Sequence, residues 1–485
     1  MYVFMNQIPP QPIDPDPNEQ RRREHQALRY RMLTGNWLQD LLDEISKHIP
    51  ESRQAAWGVP DMSSNIFKAS TEALCGLYVE SPSVAVDETP GQTEGLLGRN
   101  GYITKAALWA LMQRVQYFTI GMRECFLRIS VDKENQSLNY RIVTCDKITA
   151  QSSDADPSKP IEINETRLRQ DPETKKYEWT IDHLSIADPN NPVYEIYSLK
   201  EDGKIKENVS KKYWSESFSG TNYPYIDSQG KPYLPYTLYH AEIHGNLFDP
   251  FANREVIMGS LTCGVYFSFL GHLLKNCSFP QRYLLGAGVA GMDMYDNNLA
   301  SRRNAIATDP SSILVFTADP DLQPGQQPQI GQYQPGGDVE KMLQSITTFE
   351  RRLAAQMGIP GSDIQKMTGD PRSGFAIAVS RSSLREKQRH FSLSFRKSDI
   401  ETIEISAKLA NRYLGGSFPE MGYRIKYHAI PLSPQEQKEQ RDNIIALLSQ
   451  GLISKVDAVK MLQPDLDDIE AKKHLLKVQS ENLEY

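Results

Sequence analysis

EVIMGSLTCGVYFSFLGHLLK, Glu255–Lys275, is the stretch on which the reading of this chain turns. Its 19 residues from Val256 to Leu274 contain no Asp, Glu, Lys or Arg. That length barely crosses a bilayer. The run also carries Gly259, Ser260, Thr262, Gly264, Ser268, Gly271 and His272, which suit close packing against protein. A helix apolar all round because protein surrounds it is therefore expected over about 252–275, with no membrane contact. A short β-containing insert follows, with strands at Gln281–Leu285 and Ser311–Phe316 and a Pro/Gln/Gly-rich close from Asp319 to Gly337. Asp338 opens a second helix with Val339, Met342, Leu343, Ile346, Phe349 and Leu353 on one stripe. Gly358 and Pro360 stop it. Two helices flanking a small insertion must run antiparallel, so the insertion projects from their far end.

Beyond the loop Ile359–Ser373, a helical stretch runs from Gly374 to Tyr413. Its start is small and smooth; Arg381 to Lys397 then holds six Lys/Arg against Glu386 alone, a local +5. Such a face is either solvated, ion-paired with another subunit, or turned to phosphate. A strand is predicted at Tyr423–Ile430. Ser433-Pro434-Gln435-Glu436 is a capping box that starts a helical tail.

Upstream, helices are expected over 18–48, 62–80 and 101–121. The run Arg21-Arg22-Arg23 reads as a solvated helix face. From Glu124 the period changes to two: CFLRISVD, LNYRIVTCD, YEWTIDHLSI and VYEIYSLK alternate, which predicts an antiparallel β middle third. The fold class is α+β. No internal repeat emerges.

The chain has 485 residues, which suggests about two or three domains. Lys plus Arg is 54 against 61 Asp plus Glu, a formal −7, and mean hydropathy is −0.51. This balance argues against a protein that grips nucleic acid through a basic face. It leaves room for a surface that DNA slides past. Cys75, Cys125, Cys145, Cys263 and Cys277 are odd in number and scattered, so neither a disulfide framework nor a zinc ribbon is indicated, and a reducing compartment is expected. MYVFMNQIPPQPIDPDP has no signal-peptide layout and reads as an extended Pro-rich arm.

Three motifs tempt toward chemistry. Gly286-Ala-Gly288-Val-Ala-Gly291 with Asp319 imitates a dinucleotide-binding turn, the layout of a nicotinamide or flavin oxidoreductase. The would-be helix after it lacks an apolar face, and no further β-α-β units follow, so a glycine-rich loop is the expectation. His240 and His244 sit four apart in an alternating segment, which places them on one strand face at roughly 13 Å, too far for a shared metal. Pro464-Asp465 with Glu470-Ala-Lys472 is too compact for a nuclease carboxylate–lysine pair. No P-loop, nucleophile elbow or zinc set occurs, so no catalytic residue, metal or cofactor is expected.

Taken in order, five segments resemble the portal proteins of tailed bacteriophages, and the resemblance covers most of the chain. YPYIDSQGKPYLPYTLYHAEIHGNLFDP looks like the end of a portal wing. EVIMGSLTCGVYFSFLGHLLKNCSFPQRYLLG looks like a first stem helix entering the clip, and IGQYQPGGDVEKMLQSITTFERRLAAQMG like clip exit and second stem helix. SGFAIAVSRSSLREKQRHF resembles the start of the helix after a tunnel loop, and GLISKVDAVKMLQPDLDDIEAKKHLLKVQSE the C-terminal crown.

The resemblance implies a mixed α/β wing over 1–249 with the strand 419–432 returning to it. It implies stem helices at 250–276 and 338–358, a clip at 277–337, a tunnel loop at 359–373, a long wing helix at 374–418 and a crown at 433–485. It further implies a twelve-subunit ring at one capsid vertex, in the virion and earlier in the host cytoplasm. Double-stranded DNA would pass through it non-specifically during packaging and exit. Gln365, Lys366, Met367, Asp370 and Arg372 would face the channel. Arg282, Asn298, Arg302 and Arg303 would meet the terminase large subunit and then a head-completion adaptor. Major capsid and scaffolding proteins complete the implied partners. Another virion head–tail structural protein is the other non-enzymatic reading.

Overall fold

Glycine punctuation and a change of period set the elements in the computed structural model. It describes residues 17–49, 60–86, 93–132, 134–200, 203–214, 223–249, 251–278, 281–285, 287–289, 316–318, 329–333, 338–360, 382–428, 434–462 and 468–483. The helix expected over 18–48 is two, α1 (Pro17–Thr34) and α2 (Leu38–Ser46), because Gly35 turns the chain at φ +82. Next come α3 (Ile66–Leu74), β1 (Ser83–Val86) and the single turn α4 (Glu94–Leu97). The helix expected over 101–121 is also divided, into α5 (Tyr102–Lys105) and α6 (Leu108–Met122), with Ala107 left-handed at φ 51 between them. An unbroken helix would set Ile103 and Leu108 about 140° apart. The break lets both be buried.

The alternating segments form β2 (Glu124–Asp132), β3 (Ser137–Thr144), β4 (Ile148–Ser152), β5 (Pro160–Gln170), β6 (Tyr177–Ser185), β7 (Val193–Leu199) and β8 (Ile205–Asn208). After the turn α7 (Ser210–Tyr213) comes β9 (Tyr236–His240). The long apolar helix is α8 (Arg254–Ser278). The insert holds β10 (Gln281–Leu285), β11 (Ala287–Val289), β12 (Phe316–Ala318) and β13 (Gln329–Tyr333). Then follow α9 (Val339–Gln356), α10 (Ser382–Tyr413), β14 (Tyr423–Lys426), α11 (Pro434–Ser449), α12 (Lys455–Leu462) and α13 (Asp468–Leu483). The fold is α+β.

The chain divides into two units. One comprises residues 1–37, 66–257 and 353–485, the other 38–65 and 258–352. In the first, β3-β2-β9 form one antiparallel sheet and β4 to β8 a five-stranded meander, while β14 pairs with β1. The facing sheets meet through buried charge. Arg128 on β2 pairs with Asp182 on β6 and Glu165 on β5, and it also donates to Tyr194 Oη at 3.1 Å. Burial works against the Asp182 carboxylate, but Arg128 and Arg169 outweigh it and hold the group below its ordinary range.

The expectation of a solvated Arg21–Arg23 face is overturned for two of the three. Arg21 is exposed, but Arg22 is 5% and Arg23 1% exposed. Arg22 donates to the carbonyls of Cys145 and Ile148 and lies 3.8 Å over the Phe248 ring. Arg23 Nε donates to the Asp146 carbonyl at 3.2 Å, and burial lowers its guanidinium to about 10. The polar helix face packs inward because the turn Cys145–Lys147 presents backbone carbonyls that long guanidinium arms can satisfy.

In the second unit, α8 from Met258 onward packs on α9 up to Arg352. The Tyr266 and Phe349 rings lie 6.4 Å apart, and Ser64 hydrogen-bonds Glu350. Ser268 Oγ accepts the Asp61 N–H at 2.8 Å, and His48 meets Phe269 edge-on. Between the two helices the insert is a nested pair of antiparallel ladders, β10 on β13 and β11 on β12.

Candidate functional site

The nested ladders settle the glycine motif. Ala287-Gly288-Val289 is itself a strand, and Gly288 opposes Thr317 in antiparallel register. A dinucleotide turn needs a parallel βαβ unit, so this geometry is wrong for one. The loop expected there is partly strand; Gly286 and Gly291 lie outside the described residues.

The histidine pair also differs from expectation. β9 ends at His240 and the chain bends, so the His240 and His244 rings lie 5.0 Å apart rather than a strand repeat apart. His240 Nε2 is 3.1 Å from the Leu247 carbonyl, and His244 Nε2 sits 3.5 Å from the buried Glu124 carboxylate. Among the described residues no group of three metal-ligating side chains forms. Glu470 and Lys472 lie on α13, and Asp465 is outside the described residues.

Of the residues that the portal resemblance singles out, Arg282 lies on β10 opposite Gln332. Asn298, Arg302 and Arg303, and the whole channel set Gln365, Lys366, Met367, Asp370 and Arg372, lie outside the described residues.

Two helical elements, one in each unit, carry exposed side chains. On α8, Met258, Tyr266 and Leu274 are exposed, and on α9 so are Met342 and Leu343. By length and composition Arg254–Leu274 is apolar enough to cross a membrane, yet 56% of its most apolar window is buried within the chain.

The second element is α10, where the basic run of the sequence is split by the helix period. Gln388, Phe391, Ser394, Phe395, Ser398 and Asp399 are buried, whereas Arg389, His390, Arg396 and Lys397 are exposed around Leu393, itself 59% exposed. Lys387 is diverted from that face: it folds over Gly358, whose φ of +77 and missing Cβ leave the room. Arg389, Arg396 and Lys397 form no ion pair among the described residues. Sequence reading found this charge but missed what anchors it. Ser394, Ser398, Thr402 and Ser406 recur every four residues along the buried face. Ser394 and Ser398 donate to the carbonyls of His240 and Leu238 on the open edge of β9, at 2.6 and 2.8 Å. Thr402 Oγ1 donates to Thr237 Oγ1 at 3.0 Å, and Ser406 Oγ meets Tyr140 Oη at 2.9 Å. The i, i+4 spacing was the available signal.

No family model matches the sequence, and no curated protein matches it. Solved structures that are similar over much of their length include two from gene transfer agent particles. The neck of a native gene transfer agent particle, computed with C12 symmetry, has a TM-score of 0.36 at 13% identity, covering 82% of this chain and 89% of that one. The virion of a native gene transfer agent particle has a TM-score of 0.34 at 13% identity, covering 82% and 88%.

Proposed function

We propose that this chain is the subunit of a portal ring, twelve copies at one capsid vertex. The channel passes DNA inward under the terminase motor and outward at ejection, and the outer end receives head-completion and tail proteins. The role is that of a conduit and docking platform rather than of an enzyme. One observation carries the reading: two helices that touch through Tyr266 and Phe349 flank a nested-strand insertion and leave Met258, Tyr266, Leu274, Met342 and Leu343 exposed on one chain. Apolar side chains in such number on a paired-helix unit suit burial against neighbouring copies. A heterologous contact repeated by rotation closes a ring. The formal charge of −7 supports passage, since a strongly basic bore would retain DNA by counterion release.

Negative-stain electron microscopy of the purified 55.0 kDa chain, with native mass spectrometry for copy number, tests this. Rings with a central hole and twelve subunits are expected. A chain that stays monomeric or dimeric at high concentration, and with scaffolding protein added, overturns it.

A further inference from the structure

The exposed face of α10 has an apolar centre and a charged margin. At about 100° per residue, Arg389, His390, Arg396 and Lys397 all fall within about 60° of Leu393 around the helix. They border it over about 12 Å of helix length. The chain past His240, whose carbonyl holds Ser394, brings a second exposed apolar side chain, Ile243, close by: its neighbour Glu242 feels His390 and Lys387. Glu242 is itself ion-paired with Arg123 at 3.0 Å. Asp156 and Glu401 sense Lys397, but neither forms an ion pair with it among the described residues. A phosphate backbone on this face would set Leu393 and Ile243 against charged oxygens. A helix whose exposed apolar residues are flanked by carboxylates fits both the centre and the margin.

The chain displays such a helix. On α2, Leu38 and Leu42 are exposed four residues apart and so form one ridge. Asp43, exposed beside Leu42, accepts from the neutral Gln39 amide at 2.8 Å. Asp40 and Glu44 are half-buried, and Lys47 pairs with Glu44 at 2.5 Å. Three acids against one lysine leave residues 38–47 net acidic, opposite in sign to the α10 face. From Leu38 to Ser46 this ridge is also about 12 Å long. A ring closed by rotation needs two different, complementary surfaces on every copy.

We propose that the α10 face of one copy, Leu393 with Arg389, Arg396 and Lys397, docks on α2 of the next copy through Leu38, Leu42 and Asp43. The proposal rests on the ring reading above and adds a charge-selective contact to the apolar helices α8 and α9. Burial of the leucines holds the two helices together, and the opposed charges choose the partner surface and suppress α10 against α10 or α2 against α2.

The test reverses charge on each face of the full chain, at exposed positions. Arg396→Glu with Lys397→Glu, and Gln39→Lys with Asp43→Lys, should each cut the ring population in native mass spectra at least about tenfold, because like charges then meet. All four substitutions in one chain set acid against base again and should restore rings. A fourfold variant as defective as either pair overturns the contact, as do rings that survive in both pairs, and both results leave the ring reading standing. A wild type that forms no ring overturns that reading instead. In that case, or if a reversed chain fails to fold, Leu42→Cys with Leu393→Cys under mild oxidation decides. A disulfide ladder beyond dimers, absent from each single variant, supports the contact, and no ladder overturns it.

Discussion

Ser398 Oγ donates to the main-chain carbonyl of Leu238 at 2.8 Å, tying the long helix to the open edge of a three-stranded sheet. An edge strand presents alternate carbonyls that must find donors. Here the helix supplies them every fourth residue. Replacing Ser394 and Ser398 together with Ala should leave two buried carbonyls without those donors. The expected loss is about 1–3 kcal/mol per site. Urea unfolding of the purified chain measures it, and a change below 0.5 kcal/mol for the pair (roughly the background of surface substitutions) would mean that water replaces the serines.

Arg128 holds two carboxylates of the opposite sheet, Glu165 and Asp182, which are 1% and 0% exposed. Arg128→Met removes a cation while leaving its partners buried, a change that costs about 3–5 kcal/mol. Arg141 and Arg169 still reach Glu165 and Asp182, which keeps the loss at the lower end. Both carboxylates are held below their ordinary values on folding. Their contribution is therefore present above an unfolded value of about 4 and lost as pH falls below it. Acid unfolding monitored by circular dichroism should begin at higher pH in Arg128→Met than in the wild type.

Neighbouring arginines on α1 should behave oppositely. Arg22→Ala strips donors from the carbonyls of Cys145 and Ile148, with an expected loss of about 1–3 kcal/mol per orphaned group. Arg21→Ala, on the exposed side, should stay within about 0.5 kcal/mol of the wild type. Equal effects in thermal melts would contradict the inward-facing geometry.

Gly121 in α6 lies against Leu33 of α1: a Cβ there would meet Leu33 Cδ1 at 2.5 Å. Gly121→Ala should cost about 1–3 kcal/mol despite alanine's better helix propensity, because the packed pair has to separate. A stabilised variant in denaturant titration would show that Leu33 moves aside freely.

For the proposed ring, the exposed apolar residues are the decisive ones. Met258→Glu with Leu274→Lys should leave the monomer's melting temperature almost unchanged and abolish twelve-fold assembly in native mass spectra. Lys366→Ala with Arg372→Ala should do the reverse, leaving rings intact and altering DNA packaging or retention. Loss of rings in that second variant would remove the channel assignment.

How much of this was legible in the sequence depends on whether the signal was local. The apolar run Val256–Leu274, the stripe from Val339 to Leu353 and the alternation after Glu124 each state their own period, and the helices α8 and α9 and the sheets lie where that period puts them. The breaks at Gly35 and Ala107 divide on the same principle. Glycine at 35 could have been read; alanine at 107 could not, because its left-handed turn exists only to bury Ile103 and Leu108 at once.

Chain-local patterning thus determined the α+β class, the order of elements and the helix–insert–helix unit. Tertiary structure alone decided which polar residues are internal. Arg22 and Arg23 read as surface until the carbonyls of Cys145, Asp146 and Ile148 arrive from more than a hundred residues away. Asp399 reads as one more charge on a polar helix until three tyrosines from distant segments close over it. A hydrophobic period is set by neighbours along the chain, whereas the partner that makes a buried charge tolerable is set by neighbours in space.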